Sequence, residues 1–114
     1  MLAGTFRVTD SEFEALAEAA LAALERALEA SALDADIEAT GAGVLEVEFG
    51  NGSKMVINRH TAAREIWVAA KSGGFHFRHD GRAWRDSRDG SELFAALSRL
   101  VSAQSEIPVI LAPG

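Results

Sequence analysis

The chain has no cysteine, which excludes a disulfide framework, thiolate metal ligands and a thiol nucleophile, and suits a reducing compartment. Any metal must then be held by oxygen or imidazole. Nor does any stretch approach the ~20 apolar residues that span a bilayer. The opening "MLAGTFRVTDSEF" has neither a charged n-region nor a long apolar h-region. The chain is therefore expected to be soluble, unprocessed and cytoplasmic, with no membrane partner. No P-loop or dinucleotide motif appears, "SGGF" is too short for a phosphate loop, and no nucleophile has an evident base beside it.

What is present suits one domain. The 114 residues, 48% hydrophobic and 25% charged, are enough to bury roughly two thirds of the unfolded-chain surface in a single core. The domain is expected to span 1–114, with 1–8 as an N-terminal extension and 105–114 as an extended C-terminal tail. The net charge of −6 is unevenly placed: residues 1 to 48 hold eleven acids against two bases, residues 49 to 114 nine bases against six acids. A fold that keeps these parts apart has one acidic and one mildly basic face. Nucleic acid is not an expected partner of the acidic half.

Thr9 and Glu12 form a capping box, and Val8 with Phe13 a hydrophobic staple. Phe13, Leu16, Ala17, Ala20, Leu21, Leu24 and Leu28 then recur at helical spacing. Beside that stripe, at about 100° per residue, Glu14, Glu18, Glu25 and Glu29 form a line of carboxylates. Their i,i+4 like-charge pairs each cost a few tenths of a kcal/mol. A face chosen for solubility would interleave bases, but this helix offers only Arg26. A solvated acidic face is the plain alternative.

Next, "DADIEA" reads as a strand with Asp34, Asp36 and Glu38 on one side and Ala35, Ile37 and Ala39 on the other. At a sheet edge these acids extend the helical row into one ridge; their plain role is to discourage edge-to-edge aggregation. Leu45, Val47 and Phe49 alternate with Glu46 and Glu48, and Asn51-Gly52 marks a hairpin. Met55 and Ile57 point inward; Val56, Asn58 and His60 point out. In "AREIWVAAKS" Ile66 and Val68 share the inner face, which leaves Trp67 with Ala69 on the outer one. Phe75 and Phe77 then face inward, His76 and Arg78 outward, Asp80-Gly81 turns the chain, and a short strand carries Trp84. A second helix is predicted to begin between Asp89 and Ser91, with Leu93, Phe94, Leu97, Leu100 and Val101 at helical spacing.

The order is α-β-β-β-β-β-β-α, with connections short enough for antiparallel pairing. This is an α+β fold: a two-layer sandwich with two helices on one face of a twisted antiparallel sheet of about six strands. Trp67, Asn58, His60 and His76 stand on the uncovered face, where an aromatic with polar neighbours marks a partner-binding patch. A one-residue register slip would instead bury Trp67.

"NGSKMVINRH" followed by "REIWVAAKSGGFHF", with "DSEFEALAE" before and "DGRAWRDSRDGSELFAAL" after, resembles the bacterial frataxins, the CyaY family. The likeness covers roughly residues 9 to 102. It implies a small protein that binds iron, Fe2+ or Fe3+, weakly and regulates iron–sulfur cluster assembly. It also implies docking on the cysteine desulfurase through an acidic ridge and on the scaffold protein through the sheet around the tryptophan; a monomer is the default expectation. Carried over by position, the ridge falls on Glu18, Glu25, Glu29, Asp34, Asp36 and Glu38, and the sheet contact on Trp67 and Asn58. Arg26 and Thr40 stand where such relatives often have acids, which lowers the expected iron stoichiometry, and His60 replaces a frequent Gln.

The chemistry agrees. Carboxylates are hard donors, suited to iron, manganese, calcium or magnesium, and a row without a closed shell binds weakly and exchanges readily. The same row attracts a basic partner over distance, an attraction that salt weakens. His60, His76 and His79 read first as surface hydrogen-bonding residues and second as ligands of an accessory site. The acids lie on a convex helix and an edge strand rather than in a desolvated cleft, so enzymatic activity is not expected beyond ferroxidase-like oxidation of bound iron. The alternative is a protein-binding module whose acidic face recognises a basic partner, metal binding being incidental.

Overall fold

The computed structural model describes residues 7–113, so the expected N-terminal extension lies outside the described residues except for Arg7 and Val8. Helix α1 (Asp10–Ala30) is followed by strands β1 (Ala35–Ala39), β2 (Val44–Phe49) and β3 (Lys54–His60). A 3-10 turn (Thr61–Ala63) leads to β4 (Glu65–Ala70), β5 (Gly73–His79), β6 (Trp84–Asp86) and helix α2 (Leu93–Ser105). The strands form one antiparallel sheet in chain order.

The capping box is made as predicted: Thr9 Oγ1 accepts from the Glu12 amide at 3.2 Å, and Glu12 Oε1 accepts from the Thr9 amide at 2.9 Å. Val8 packs against the core in which Phe13 is buried. Strand alternation then decides the layers. Leu45, Val47, Met55, Ile57, Ile66, Val68 and Phe77 are buried against Leu24 and Leu28 of α1 and Leu93, Leu97 and Val101 of α2. Their neighbours in sequence form the opposite, uncovered face. Truncating any fully buried leucine here costs ~2–5 kcal/mol.

Helix α2 starts later than its spacing predicts. The Asp86 amide donates to Ser91 O at 2.8 Å and Arg85 bridges Glu92, so the chain at 91–92 stays extended beside β6. Asp89 instead closes a turn by accepting from the Ser91 amide, and Glu92 caps the helix by accepting from the amides of Phe94 and Ala95. At the other end Ser105 is still helical, and Glu106 turns the chain in the left-handed region with φ 64°. The tail runs back along α2, with Val109 and Leu111 buried and their amides each donating at 2.8 Å, to Ser102 Oγ and Ser98 Oγ. Buried Gln104 ties α2 to the strands: its side chain donates to Lys54 O at 2.9 Å and accepts from the Lys71 amide at 3.1 Å.

Candidate metal-binding edge and partner-docking face

Among the described residues strand β1 is an edge, paired only with β2. Ala35 and Ile37 turn toward the helices and are half-buried, so Asp36 and Glu38 project from the opposite face and are exposed. On the helix side Glu18 and Glu25 line a shallow groove against Ala39, Gly41 and Gly43 of the β1–β2 connection. The helical and strand acids thus approach the same edge from its two faces. Asp34 and Asp36 share a second groove with Glu48, and Asp36 and Glu38 a third with Glu46 and Glu48. Glu29 is exposed near the end of α1 and lines none of these grooves. Gly50, whose amide donates to Asp34 O at 2.9 Å, has no room for a Cβ because the Asp34 carboxylate lies against it.

Glu46 and Glu48 escape a reading that follows one strand at a time. The register sets Glu48 opposite Asp36 and Glu46 opposite Glu38, two like-charge cross-strand pairs that oppose pairing by a few tenths of a kcal/mol each. Lys54, opposite Glu48, offsets part of this. Their alternation with Leu45, Val47 and Phe49 was the signal; the partner strand was not visible in it. Among the described residues no three His, Asp or Glu side chains converge on a point that holds a metal ion. The edge is a row of separate carboxylates with no closed coordination shell among the described residues.

On β4 Trp67 lies on the uncovered face, opposite Asn58 of β3 and His76 of β5. The register that would bury it is not adopted. Nor is the ring a lone projection: His60 stacks on one side of it at 3.9 Å between centroids and 12° between planes, and His76 on the other at 4.7 Å and 11°. Stacking of this kind contributes ~0.5–1.5 kcal/mol per pair beyond area burial, and explains how a large apolar ring stays half-buried without a helix above it. Asn58 Nδ2 donates to Arg59 O at 3.3 Å. His60 Nδ1 accepts from the Ala63 amide at 3.2 Å, which fixes its ring at the end of β3.

Beneath the stack sits Glu65, only 7% exposed, a residue the alternation of β4 put on this face but did not single out. Its Oε1 accepts from Trp67 Nε1 at 2.8 Å, its Oε2 from Arg78 Nε at 2.7 Å, and His76 Nδ1 lies 3.5 Å away. Burial pushes the Glu65 carboxyl up, but the hydrogen bonds from Trp67 and Arg78 outweigh it and hold the group below its ordinary value. His79 is apart from this cluster, edge-on to Trp84 at 5.2 Å, with Nδ1 accepting from the Gly81 amide at 3.0 Å. Burial lowers its pKa despite nearby Asp80.

The match to known proteins runs the length of this architecture. The family model of the frataxin-like domain matches residues 6–107. An iron–sulfur cluster assembly protein CyaY of Dechloromonas aromatica (strain RCB) is 56% identical over 102 residues, covering 90% of this chain and 97% of that protein. One of Janthinobacterium sp. (strain Marseille) is 54% identical over 108 residues, covering 91% and 96%. Among solved structures, the frataxin of Psychromonas ingrahamii superposes with a TM-score of 0.83 at 32% identity, covering 92% of this chain and 99% of that one. A trimeric yeast frataxin from Saccharomyces cerevisiae complexed with ferrous iron shares the fold, with a TM-score of 0.63 at 24% identity, covering 92% and 93%. With the order of elements, the sheet and the family model in agreement, the chain belongs to the frataxin-like family.

Proposed function

We propose that this chain serves iron–sulfur cluster assembly as a non-enzymatic, cytoplasmic, monomeric iron-binding regulator or iron donor. The assembly role is supported by relatives that carry that name at 54–56% identity over nine tenths of the chain. Iron association is supported by the ferrous complex of the yeast neighbour and by a donor set made only of carboxylates. Glu18, Glu25, Glu29, Asp34, Asp36 and Glu38, with Glu46 and Glu48 added by the register, hold Fe2+ or Fe3+ weakly, and other hard cations substitute. The same edge docks on a basic surface of the cysteine desulfurase, and the face around Trp67, Asn58, His60 and His76 meets the scaffold protein.

The observation that carries this reading is the separation of two surfaces on one sheet: a row of carboxylates along the β1 edge that take no hydrogen bond from another described residue, and an ordered aromatic stack three strands away on β4. The absence of a three-ligand cluster among the described residues favours a second reading, in which the acids serve recognition and metal binding is incidental. Replacing Glu18, Glu25, Glu29, Asp34, Asp36 and Glu38 together by Ala tests both. The first reading requires loss of ferrous binding and of desulfurase binding. Loss of desulfurase binding with iron affinity intact establishes the second and moves the metal to Glu46 and Glu48 or to the histidines.

A further inference from the structure

A cavity of about 380 Å³ opens where the start of α1 meets the β3–β4 turn and the end of β5, away from the acidic edge. Arg7, Arg64, Arg78 and His79 line it, with Phe13 and Leu16 supplying apolar wall. In a chain of net charge −6, three arginines lining one cavity are a local reversal of sign.

Two of these guanidiniums are oriented by carboxylates. Arg64 donates to Asp10 Oδ1 from Nε at 3.0 Å and approaches it with Nη2 at 2.8 Å, and Arg78 donates to Glu65 Oε2 from Nε. Each keeps at least one terminal amino group without a hydrogen bond to another described residue, and Arg7 makes none among them. Three guanidiniums against two carboxylates leave positive charge in excess.

The backbone at Arg64 adds an independent observation. Its φ of 53° and ψ of 48° are left-handed, a conformation that costs a non-glycine residue of order 1 kcal/mol and that glycine adopts freely. Its amide donates to Thr61 O at 3.0 Å, so the turn geometry is set by the chain and not by the side chain. An exposed ion pair to Asp10 returns little of that cost. The turn alone therefore gives no reason for arginine here; a cationic side chain that lines the cavity does.

We propose that this cavity binds a small polyanion, through Arg7, Arg64 and Arg78: a compact group of two or more carboxylates or phosphates, which guanidiniums grip bidentately. Occupancy is transmitted to the docking face. Arg78 also holds Glu65, and the other oxygen of Glu65 takes the Trp67 indole N–H. An anion that draws the Arg78 guanidinium toward the cavity loosens that bond and shifts the indole.

The test is a titration of the 15N-labelled chain with tricarballylate and, separately, pyrophosphate, against sodium chloride at matched ionic strength. The proposal expects saturable shifts in the amides of 61–65 and 78–80 and in the Trp67 indole N–H for at least one anion; which one saturates identifies the carboxylate or phosphate source. Arg64→Gly is the decisive variant. It should weaken binding about tenfold, the loss of one charge-assisted contact, while leaving the melting temperature unchanged or higher because the left-handed strain is relieved. Shifts no larger than those with chloride, or binding by Arg64→Gly as tight as in the parent, overturn the proposal.

Discussion

Along the β1–β2 edge Asp36, Glu38, Glu46 and Glu48 face one another with no hydrogen-bond donor among the described residues, whereas three strands away the carboxylate of Glu65 is buried and holds two donors. The same functional group is thus used in two ways on one sheet. At the edge the acids face one another across the strand pair, Asp36 to Glu48 and Glu38 to Glu46, a like-charge repulsion that Lys54 opposite Glu48 offsets only in part. Under Trp67 the acid is fully engaged within the molecule, and its work is to fix the orientation of an indole and a guanidinium. Exchangeable binding calls for the first arrangement, and a preformed docking surface for the second.

The largest effect that separates the two is expected at Glu65. Glu65→Ala leaves the Trp67 N–H and the Arg78 guanidinium without their acceptor and should lower stability by ~2–3 kcal/mol, measured by denaturant midpoint, with the Trp67 indole resonance displaced. Glu65→Gln keeps an acceptor and should lose less. An effect no larger than that of Glu38→Ala would erase the distinction between the two carboxylate types. Trp67→Ala should follow at ~1–2 kcal/mol, for two lost ring stacks. A loss of ~3–5 kcal/mol, typical of a core aromatic, would show that the ring is part of the core and not a surface. At the edge the sign reverses: Glu38→Lys faces Glu46 with an opposite charge and should raise stability by several tenths of a kcal/mol, while weakening iron binding in a calorimetric titration.

The finest comparison is by pH. His79, Glu65 and Asp80 all hold protons less tightly when folded. Burial is the cause for His79; donors that outweigh burial are the cause for Glu65; and for Asp80 the cause is first the Ala83 amide and then the Arg82 amide, which bring it to about 2. The unfolded chain therefore takes up protons first as pH falls. Stability should be complete above the ordinary His value of 6.5 and decline below it through His79. It should decline again below the ordinary Glu value of 4.5 through Glu65, and below the ordinary Asp value of 3.8 through Asp80, whose loss begins within the range of the melts and is complete only below about 2. Thermal melts from pH 8 to 3 follow this, and His79→Gln should flatten only the upper step.

Much of this was legible along the chain because it is local. The capping box at Thr9 and Glu12, the turn at Asn51-Gly52 and the strand alternation that sets Trp67 opposite Ile66 and Val68 depend on neighbours within a few residues, and all appear as expected. What escaped depends on pairing between distant segments. Glu46 and Glu48 join the acidic edge only through their register with β1, and Glu65 acquires its role only when Arg78 arrives from β5. The later start of α2 has the same origin: a backbone bond from Asp86 to Ser91 holds extended a segment whose composition alone favours a helix start.

The central claim is that iron and the indole belong to different surfaces of one sheet. An anaerobic titration of the 15N-labelled chain with ferrous iron, read by residue-resolved line broadening, tests it most directly. The account predicts broadening first at Glu18, Glu25, Asp34, Asp36 and Glu38, extending to Glu46 and Glu48, while the Trp67 indole and the amides of His60 and His76 stay sharp. Broadening that begins at His60, Trp67 and His76 and spares the β1 edge would contradict it.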